Sequence, residues 1–385
     1  MINLFILFFS FSIYSQQDSF FNFKEIKPST ENLPTPNISQ PNRTTVRELT
    51  KSPSKEKLKQ ISNHNLSVKI NSIKKTKDLL EESQKLAYRP FAEYEKTGYL
   101  IINGEFSFDS KDAKIALAKS LPKDAVMIVL VNPENEKQKK EVMETFSPLI
   151  PEERLKLAYL TDSYKAFWAR DAMPIPMFSL KDNGFVLIDA MYYYEFYQDQ
   201  EIADMFGAKL ESHDYYFEGG NFMANKKGDC FIVDKDPHSE IPDEIFTRYY
   251  GCKKLTRLPY KEGIGHIDEH ARFVNDTTVL TDLKEYKEIF EKNGYKTLML
   301  PKPDGPFETY VNSLIMDKKV VVPSYNKPTD EEAFSVYKSL GLIPEPAPSN
   351  TLSNRGQGSV HCITMTYPKV PLKELQKALK LNFIN

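Results

Sequence analysis

From Tyr99 onward, short apolar runs alternate with stretches of helical spacing, and no other feature limits the fold so strongly. Tyr99–Ile102, Ala125–Val131, Leu155–Leu160, Phe185–Ala190, Cys230–Val233, Leu298–Leu300, Ser313–Met316, Val320–Val322 and Val360–Thr366 read as strands. Lys111–Ser120, Glu134–Phe146, Leu283–Asn293 and Asp330–Leu340 read as helices between them. Prolines and glycines fall mostly in the gaps, where turns belong. Strands alternating with helices imply an α/β domain. The sequence shows no repeat of fixed period, which leaves a structural repeat of degenerate sequence open.

The region before residue 96 has a different texture. Met1–Ser15 is almost wholly apolar, is too short to span a bilayer, and is followed by the polar Gln16-Gln-Asp-Ser19. That is the pattern of a secretory signal peptide. Residues 16–95 are expected to be a flexible spacer or pro-segment, because the stretch to about Lys75 is rich in Ser, Asn, Pro, Thr and Lys. Lys77–Leu86 is expected to form a short helix within it. The expected organisation is therefore a signal peptide over 1–15, a spacer over 16–95 and a catalytic domain over 96–385. The expected location is periplasmic or secreted, with no stable membrane insertion once the signal is removed. The 385 residues are 41% hydrophobic, enough for a sizeable core, and the net charge of -2 gives no reason to expect a nucleic-acid partner. Three cysteines leave at least one thiol unpaired: Cys230 and Cys252 could bridge, and Cys362 would then be free.

Four places do not read as packing alone. Trp168-Ala-Arg-Asp171 sets the single tryptophan beside an Arg-Asp pair, ahead of Pro174 and Pro176. Phe217-Glu-Gly-Gly-Asn221 puts an acid and an amide around two glycines, where a backbone turns sharply or a ligand comes close. Gly265-His-Ile-Asp268 continues into Glu269-His270; on a strand, His266, Asp268 and His270 would share one face and could ligate a metal. Gly356-Gln-Gly-Ser-Val-His-Cys362 runs a glycine-bearing loop into an apolar strand with a cysteine near its start. Taken singly, a loop salt bridge, an ordinary turn and a core cysteine account for the first, second and fourth places equally well or better, and a surface strand with alternating polar residues is the lesser alternative for the third.

Together they supply a thiol, an imidazole, several carboxylates and an aromatic wall. A guanidinium calls for that set. It is planar and cationic, so two carboxylates can hold its nitrogens and fix its plane. Its carbon is a poor electrophile, so a thiolate is the suitable attacker. Its leaving group is ammonia, which an imidazole can protonate near neutral pH.

The ordered series Trp-x-Arg-Asp, Glu-Gly-Gly-Asn, Gly-His-x-Asp, Asn-Ser-Leu and Gly-x-x-His-Cys-x-Thr resembles the agmatine deiminase and bacterial peptidylarginine deiminase family, within the guanidino-group-modifying or pentein superfamily. The resemblance covers about Tyr99 to the C-terminus. It implies a fivefold pseudosymmetric α/β propeller of ββαβ-type units with the active site at its centre. It further implies Cys362 as nucleophile, His266 as general acid and base, and Asp171 and Asp268 as the carboxylate pair. Glu218, Asn221, Asn312 and Trp168 are implied in or beside the substrate pocket. The resemblance implies neither a metal nor another cofactor. Where many members have glycine after the Arg-Asp pair, this chain has Met173.

The expected reaction is hydrolysis of a guanidino group to a ureido group and ammonia through a covalent thiouronium on cysteine. An arginine-containing peptide or protein is the first expected substrate, agmatine the alternative and free arginine the third; the oligomeric state is left open. A cysteine protease using His266 and Cys362 is the rival enzyme class, although a protease needs no carboxylate pair. A secreted metal-binding protein built on His266, Asp268 and His270 is the non-enzymatic rival.

Overall fold

The computed structural model describes residues 49–82, 86–182 and 184–369. The apolar N-terminal run and residues 16–48 of the expected spacer lie outside the described residues. Five sheets are built to one plan, in which a first strand pairs antiparallel with a second, and the second pairs parallel with a third reached through a helix.

In the second unit the strands are Ile175–Ser179, Phe185–Met191 and Lys209–Tyr216, with helix Asp199–Phe206 between the last two. The third has Met223–Ala224, Asp229–Asp234, helix Asp243–Tyr250 and Lys254–Pro259. The fourth has Ala271–Asn275, Thr278–Thr281, helix Lys284–Lys292 and Lys296–Met299. The fifth has Leu314–Met316, Lys319–Ser324, helix Pro328–Ser339 and Ile343–Pro348. The first unit is assembled from both ends of the domain: Thr364–Pro368 pairs antiparallel with Thr97–Asn103, which lies parallel to Val126–Val131 across helix Lys111–Ser120. Leu155–Tyr159 widens the first sheet and Tyr88–Pro90 the second. This is the fivefold pentein arrangement. The structural repeat is real although the sequences of the units have diverged.

Local chemistry explains the plan. Val126–Val131, and Val320–Pro323 within Lys319–Ser324, are continuous apolar runs, as suits middle strands buried on both faces. Gly207 and Gly251 end the second and third helices in the left-handed conformation, where a side chain would be strained. Pro328 starts the fifth helix, and the Asp330 carboxylate accepts from the backbone N–H groups of Tyr325 and Asn326 at 3.1 and 2.9 Å. Cys230 and Cys252 are bridged within the third unit, which leaves Cys362 as the buried free thiol. No helix among the described residues is long and apolar enough to cross a membrane.

Several expectations need correction. Residues 49–82 are not a loose spacer: Lys55–Glu82 is one helix of 28 residues, so the expected short helix at 77–86 is the end of a longer one. Residues 83–85 lie outside the described residues. The helix has no continuous apolar stripe to betray it, because part of its docking is polar. Asn65, fully buried, donates to Tyr216 O and Pro237 O at 3.1 and 3.0 Å and accepts from Tyr216 N at 2.9 Å. The neighbouring His64 adds a second polar contact, its ring Nε2 reaching Asp214 O at 2.8 Å. Residues 267–269 form a turn of 3-10 helix rather than a strand, and Cys362 sits in the turn before its strand. Met173 adopts ordinary extended backbone and is buried in the core, so that turn does not need a glycine.

Candidate active site

The five motifs meet because each lies at the same place in its unit. Asp171, Glu218 with Gly220, His266 with Asp268, Asn312 and Cys362 all fall within five residues before the first strand of a unit. The pseudosymmetry carries these five entry turns to one point.

Cys362 is at the centre and fully buried. Its sulfur lies 3.5 Å from Asp268 Oδ2 and 3.2 Å from Asn312 Nδ2. Asn312 also holds the turn in place: Oδ1 accepts from His361 N at 3.0 Å, and Nδ2 donates to Asp268 O at 3.1 Å. Asp171 Oδ1 accepts from Gly220 N at 3.0 Å and lies 3.6 Å from His266 Nδ1. His266 Nε2 faces Glu218 Oε2 at 3.7 Å. Any side chain at Gly220 would force its neighbours to shift: a Cβ there would sit 2.6 Å from His266 Nδ1 and 2.7 Å from Asp171 Oδ1. The second glycine of Glu-Gly-Gly-Asn is therefore the condition for acid and imidazole to approach.

The sequence reading missed one residue in this centre. Lys51 enters from the N-terminal segment with its side chain fully buried. Its ammonium lies 2.9 Å from Cys362 Sγ, 3.2 Å from Asp171 Oδ2 and 4.0 Å from Asp268 Oδ2. The main chain on either side is held too. Lys51 N donates to Gly356 O at 2.9 Å, Trp168 Nε1 to Leu49 O at 3.0 Å, and Ser52 N to Gln357 Oε1 at 3.2 Å. The hydroxyls of Tyr193 and Tyr194 donate to Lys51 O and Thr50 O. No local pattern marks a lone lysine in a polar stretch, so no sequence signal could have found it.

The charges explain the protonation states. Burial pushes the Cys362 thiol up to about 12, with Asp268 and Asp171 adding to the shift and Lys51 opposing it. Burial works against the Lys51 ammonium, but Asp171, Asp268 and Cys362 together raise it well above its ordinary value. Burial also disfavours charge on His266, yet Asp171 and Glu218 hold it above the usual imidazole range against Lys51. Asp268 and Glu218 are held well below the carboxylate range: burial opposes this, but Lys51, His361 and His266 act on the first, and His238 and His266 on the second.

Other expected residues stand one step back. Trp168 does not face an open pocket; it is buried against Phe108 and Phe167, and a Cβ on Gly358 would come within 2.6 Å of its ring. Its contact with the centre runs through the Leu49 carbonyl. Asn221 spends its amide on Val233 N and O and on His238 Nδ1, at 2.8, 3.0 and 2.8 Å, which sets it beside the centre. His270 turns to Asp282 at 3.0 Å and leaves the set proposed for a metal. The group that comes together instead is Glu218, His238 and His266, whose candidate ligand atoms lie within 4.8 Å of one another. His238 was missed, as was Glu93, which reaches His361 Nε2 at 2.8 Å, Arg272 at 2.7 Å and Arg170 at 2.5 Å behind the centre.

Comparisons with known proteins bear on the fold and the family. The agmatine deiminase of C. jejuni superposes with a TM-score of 0.60 at 17% identity, over 72% of this chain and 95% of that one. The agmatine deiminase of Enterococcus faecalis gives 0.61 at 17%, over 74% and 97%. At these identities the likeness shows the fold. Among curated proteins no sequence matches. The profile of the Porphyromonas-type peptidyl-arginine deiminases matches residues 108–368, which include every centre residue named above except Lys51. The chain thus belongs to the Porphyromonas-type peptidyl-arginine deiminase family and is a guanidino-group deiminase, a hydrolase acting on a C–N bond.

Proposed function

We propose that this enzyme deiminates arginine within a polypeptide, converting the guanidino group to a ureido group. The observation that carries the reading is the seat of Lys51. A cation on a side chain lies between Asp171 and Asp268 and beside Cys362, while the main chain that bears it continues on both sides. An arginine side chain entering by the same route brings its guanidinium to the same acids. Asp268 Oδ1, buried without a hydrogen-bond partner, is suited to accept from the further N–H groups that a guanidinium has and an ammonium lacks.

The chemistry follows from the placement. The Cys362 thiolate adds to the guanidinium carbon, and the arriving cation favours that thiolate over the thiol. His266, held as imidazolium, gives its proton to one nitrogen, which leaves as ammonia. A thiouronium remains on sulfur. Neutral His266 then takes a proton from water as the oxygen adds to the carbon, the C–S bond breaks, the hydroxyl gives its remaining proton to solvent, and ureido product and thiolate separate.

Agmatine, the substrate named for the structural neighbours, is the competing assignment, and direct competition tests it. Agmatine and a blocked arginine peptide are supplied at equal concentration and both products are measured. The peptide is expected to be converted preferentially. A preference for agmatine beyond about 100-fold, or ~2.7 kcal/mol, would overturn the peptide assignment. Because the readout is a ratio, it does not depend on what fraction of the enzyme is active.

We further propose that the protein is exported. The signal-like Met1–Ser15 and the Cys230–Cys252 bridge support this, since disulfides persist in oxidising compartments. N-terminal sequencing of protein recovered from culture medium and periplasm tests it; a chain retained in the cytoplasm with Met1 in place would refute it.

A further inference from the structure

Lys51 has no part in the reaction described above. Its Cε is a saturated carbon, so the Cys362 thiolate has no trigonal centre to add to and water has nothing to hydrolyse. Yet its ammonium takes the place between Asp171, Asp268 and Cys362 that a substrate guanidinium requires. The two cannot be there together.

The segment that delivers it is seated like a peptide ligand. Four successive residues, Leu49 to Ser52, each give a main-chain group to the domain. The partners are Trp168 Nε1, the Tyr194 and Tyr193 hydroxyls, Gly356 O and Gln357 Oε1. These are main-chain contacts, so they do not depend on which side chains flank the inserted residue. The exit of the segment is open: Ser54, Lys55 and Glu56 are exposed. The following helix is docked independently through Asn65 and the Lys69–Glu240 ion pair. The strap can therefore leave the centre while the helix stays in place.

We propose that residues 49–52 are an intramolecular pseudosubstrate: they occupy the main-chain subsite for an arginine peptide, insert an unreactive cation at Cys362, and keep the enzyme latent until the strap withdraws. The inference rests on the deiminase reading of the site. It assigns Trp168, Tyr193, Tyr194, Gly356 and Gln357 to peptide binding, and it identifies the occupant they hold in the resting enzyme. Apparent activity then scales with the fraction of molecules in which the strap is out.

Full-length wild type, Lys51→Ala and Lys51→Arg are compared by three readouts: alkylation of Cys362 by iodoacetamide, ureido formation from a blocked arginine peptide, and the mass of the segment containing residue 51. Lys51→Ala is expected to be alkylated, and to turn over peptide, at least about tenfold faster than wild type. Lys51→Arg places a hydrolysable group in the seat. It is expected to exchange a guanidino NH for oxygen at residue 51, at a rate independent of protein concentration. Equal alkylation of wild type and Lys51→Ala would overturn the proposal. Slower alkylation of Lys51→Ala would also overturn it and make Lys51 a thiolate-stabilising group. If Lys51→Ala does not fold, the Lys51→Arg variant decides: a guanidino group left unmodified at residue 51, in an enzyme that converts added peptide, overturns the proposal. Failure of the deiminase reading is a different result, in which Lys51→Ala exposes the thiol but no variant forms a ureido group.

Discussion

The Oδ2 atom of Asp268 stands 3.5 Å from the sulfur of Cys362. In the proposed mechanism one carboxylate thereby does two opposed things: it attracts the substrate cation, and it disfavours the thiolate that is to attack it. Asp268→Asn separates the two effects. Charge-assisted hydrogen bonds are worth ~1.5–3 kcal/mol, so kcat/KM should fall at least about tenfold. The Cys362 thiol should ionise at lower pH, so its alkylation at neutral pH should speed up, measured in a Lys51→Ala background to keep access equal. Turnover and alkylation moving in the same direction would refute the double role.

Cys362→Ser should leave the fold intact, because the two side chains are close in size, and should abolish turnover, because no thiouronium can form. Residual activity above about one hundredth of wild type, beyond typical single-group acid–base effects, would remove Cys362 as nucleophile.

Gly220→Ala should inactivate the enzyme with a smaller effect on stability. The added methyl must displace His266 or Asp171, since it would lie 2.6 and 2.7 Å from them. A displacement near 1 Å costs on the order of 100-fold in rate, whereas overpacking of this kind costs ~1–3 kcal/mol in unfolding free energy. Single-turnover rates and urea melts separate the two; a variant with full activity would show that the approach of acid and imidazole is not needed.

Glu218→Gln should move the alkaline limb of ammonia release to lower pH. Glu218 is one of the groups that raise His266, so without its charge the imidazolium loses its proton earlier as pH rises. Quenched-flow measurement of the first turnover across pH checks this. A limb that stays in place or moves upward would argue against His266 as the proton donor.

Replacing both Cys230 and Cys252 by Ser should destabilise the protein by ~2–4 kcal/mol, the usual range for releasing such a loop. Activity well below the melting temperature should be unchanged, because the bridge packs into a hydrophobic cluster that contains none of the centre residues. Chemical denaturation and peptide turnover on the same samples provide the check.

What could be read from the sequence divides along physical lines. Middle strands such as Val126–Val131 and helices such as Pro328–Ser339 announce themselves by apolar runs and periodic faces. First strands divide: Leu314–Met316 and Thr364–Pro368 fall in runs that read as strands, whereas Met223–Ala224 is too short and Ala271–Asn275 contains the buried Arg272. The motif residues stood out because turns rich in His, Asp, Gly and Cys are unusual just before a strand. Asp171, His266, Asp268, Asn312 and Cys362 are brought to one centre. Lys51 and Glu93 were illegible, since each gains its meaning only from partners more than 70 residues away. The Lys55–Glu82 helix escaped because hydrogen bonds through Asn65, rather than an apolar stripe, help to dock it.

The split first unit bears on how the protein is made. Ribosomes deliver the chain from its N-terminus, so the acids, the imidazole and the strap all emerge before the thiol. Cys362 lies two residues before Thr364–Pro368, the strand that seals the ring against Thr97–Asn103. A nascent chain can thus assemble four of the five units with Lys51 already made, while it still lacks the Cys362 thiol. Any product of premature termination upstream of that turn is both unsealed and without the Cys362 thiol, so closure of the ring and arrival of the thiol are tied to the same short stretch of chain.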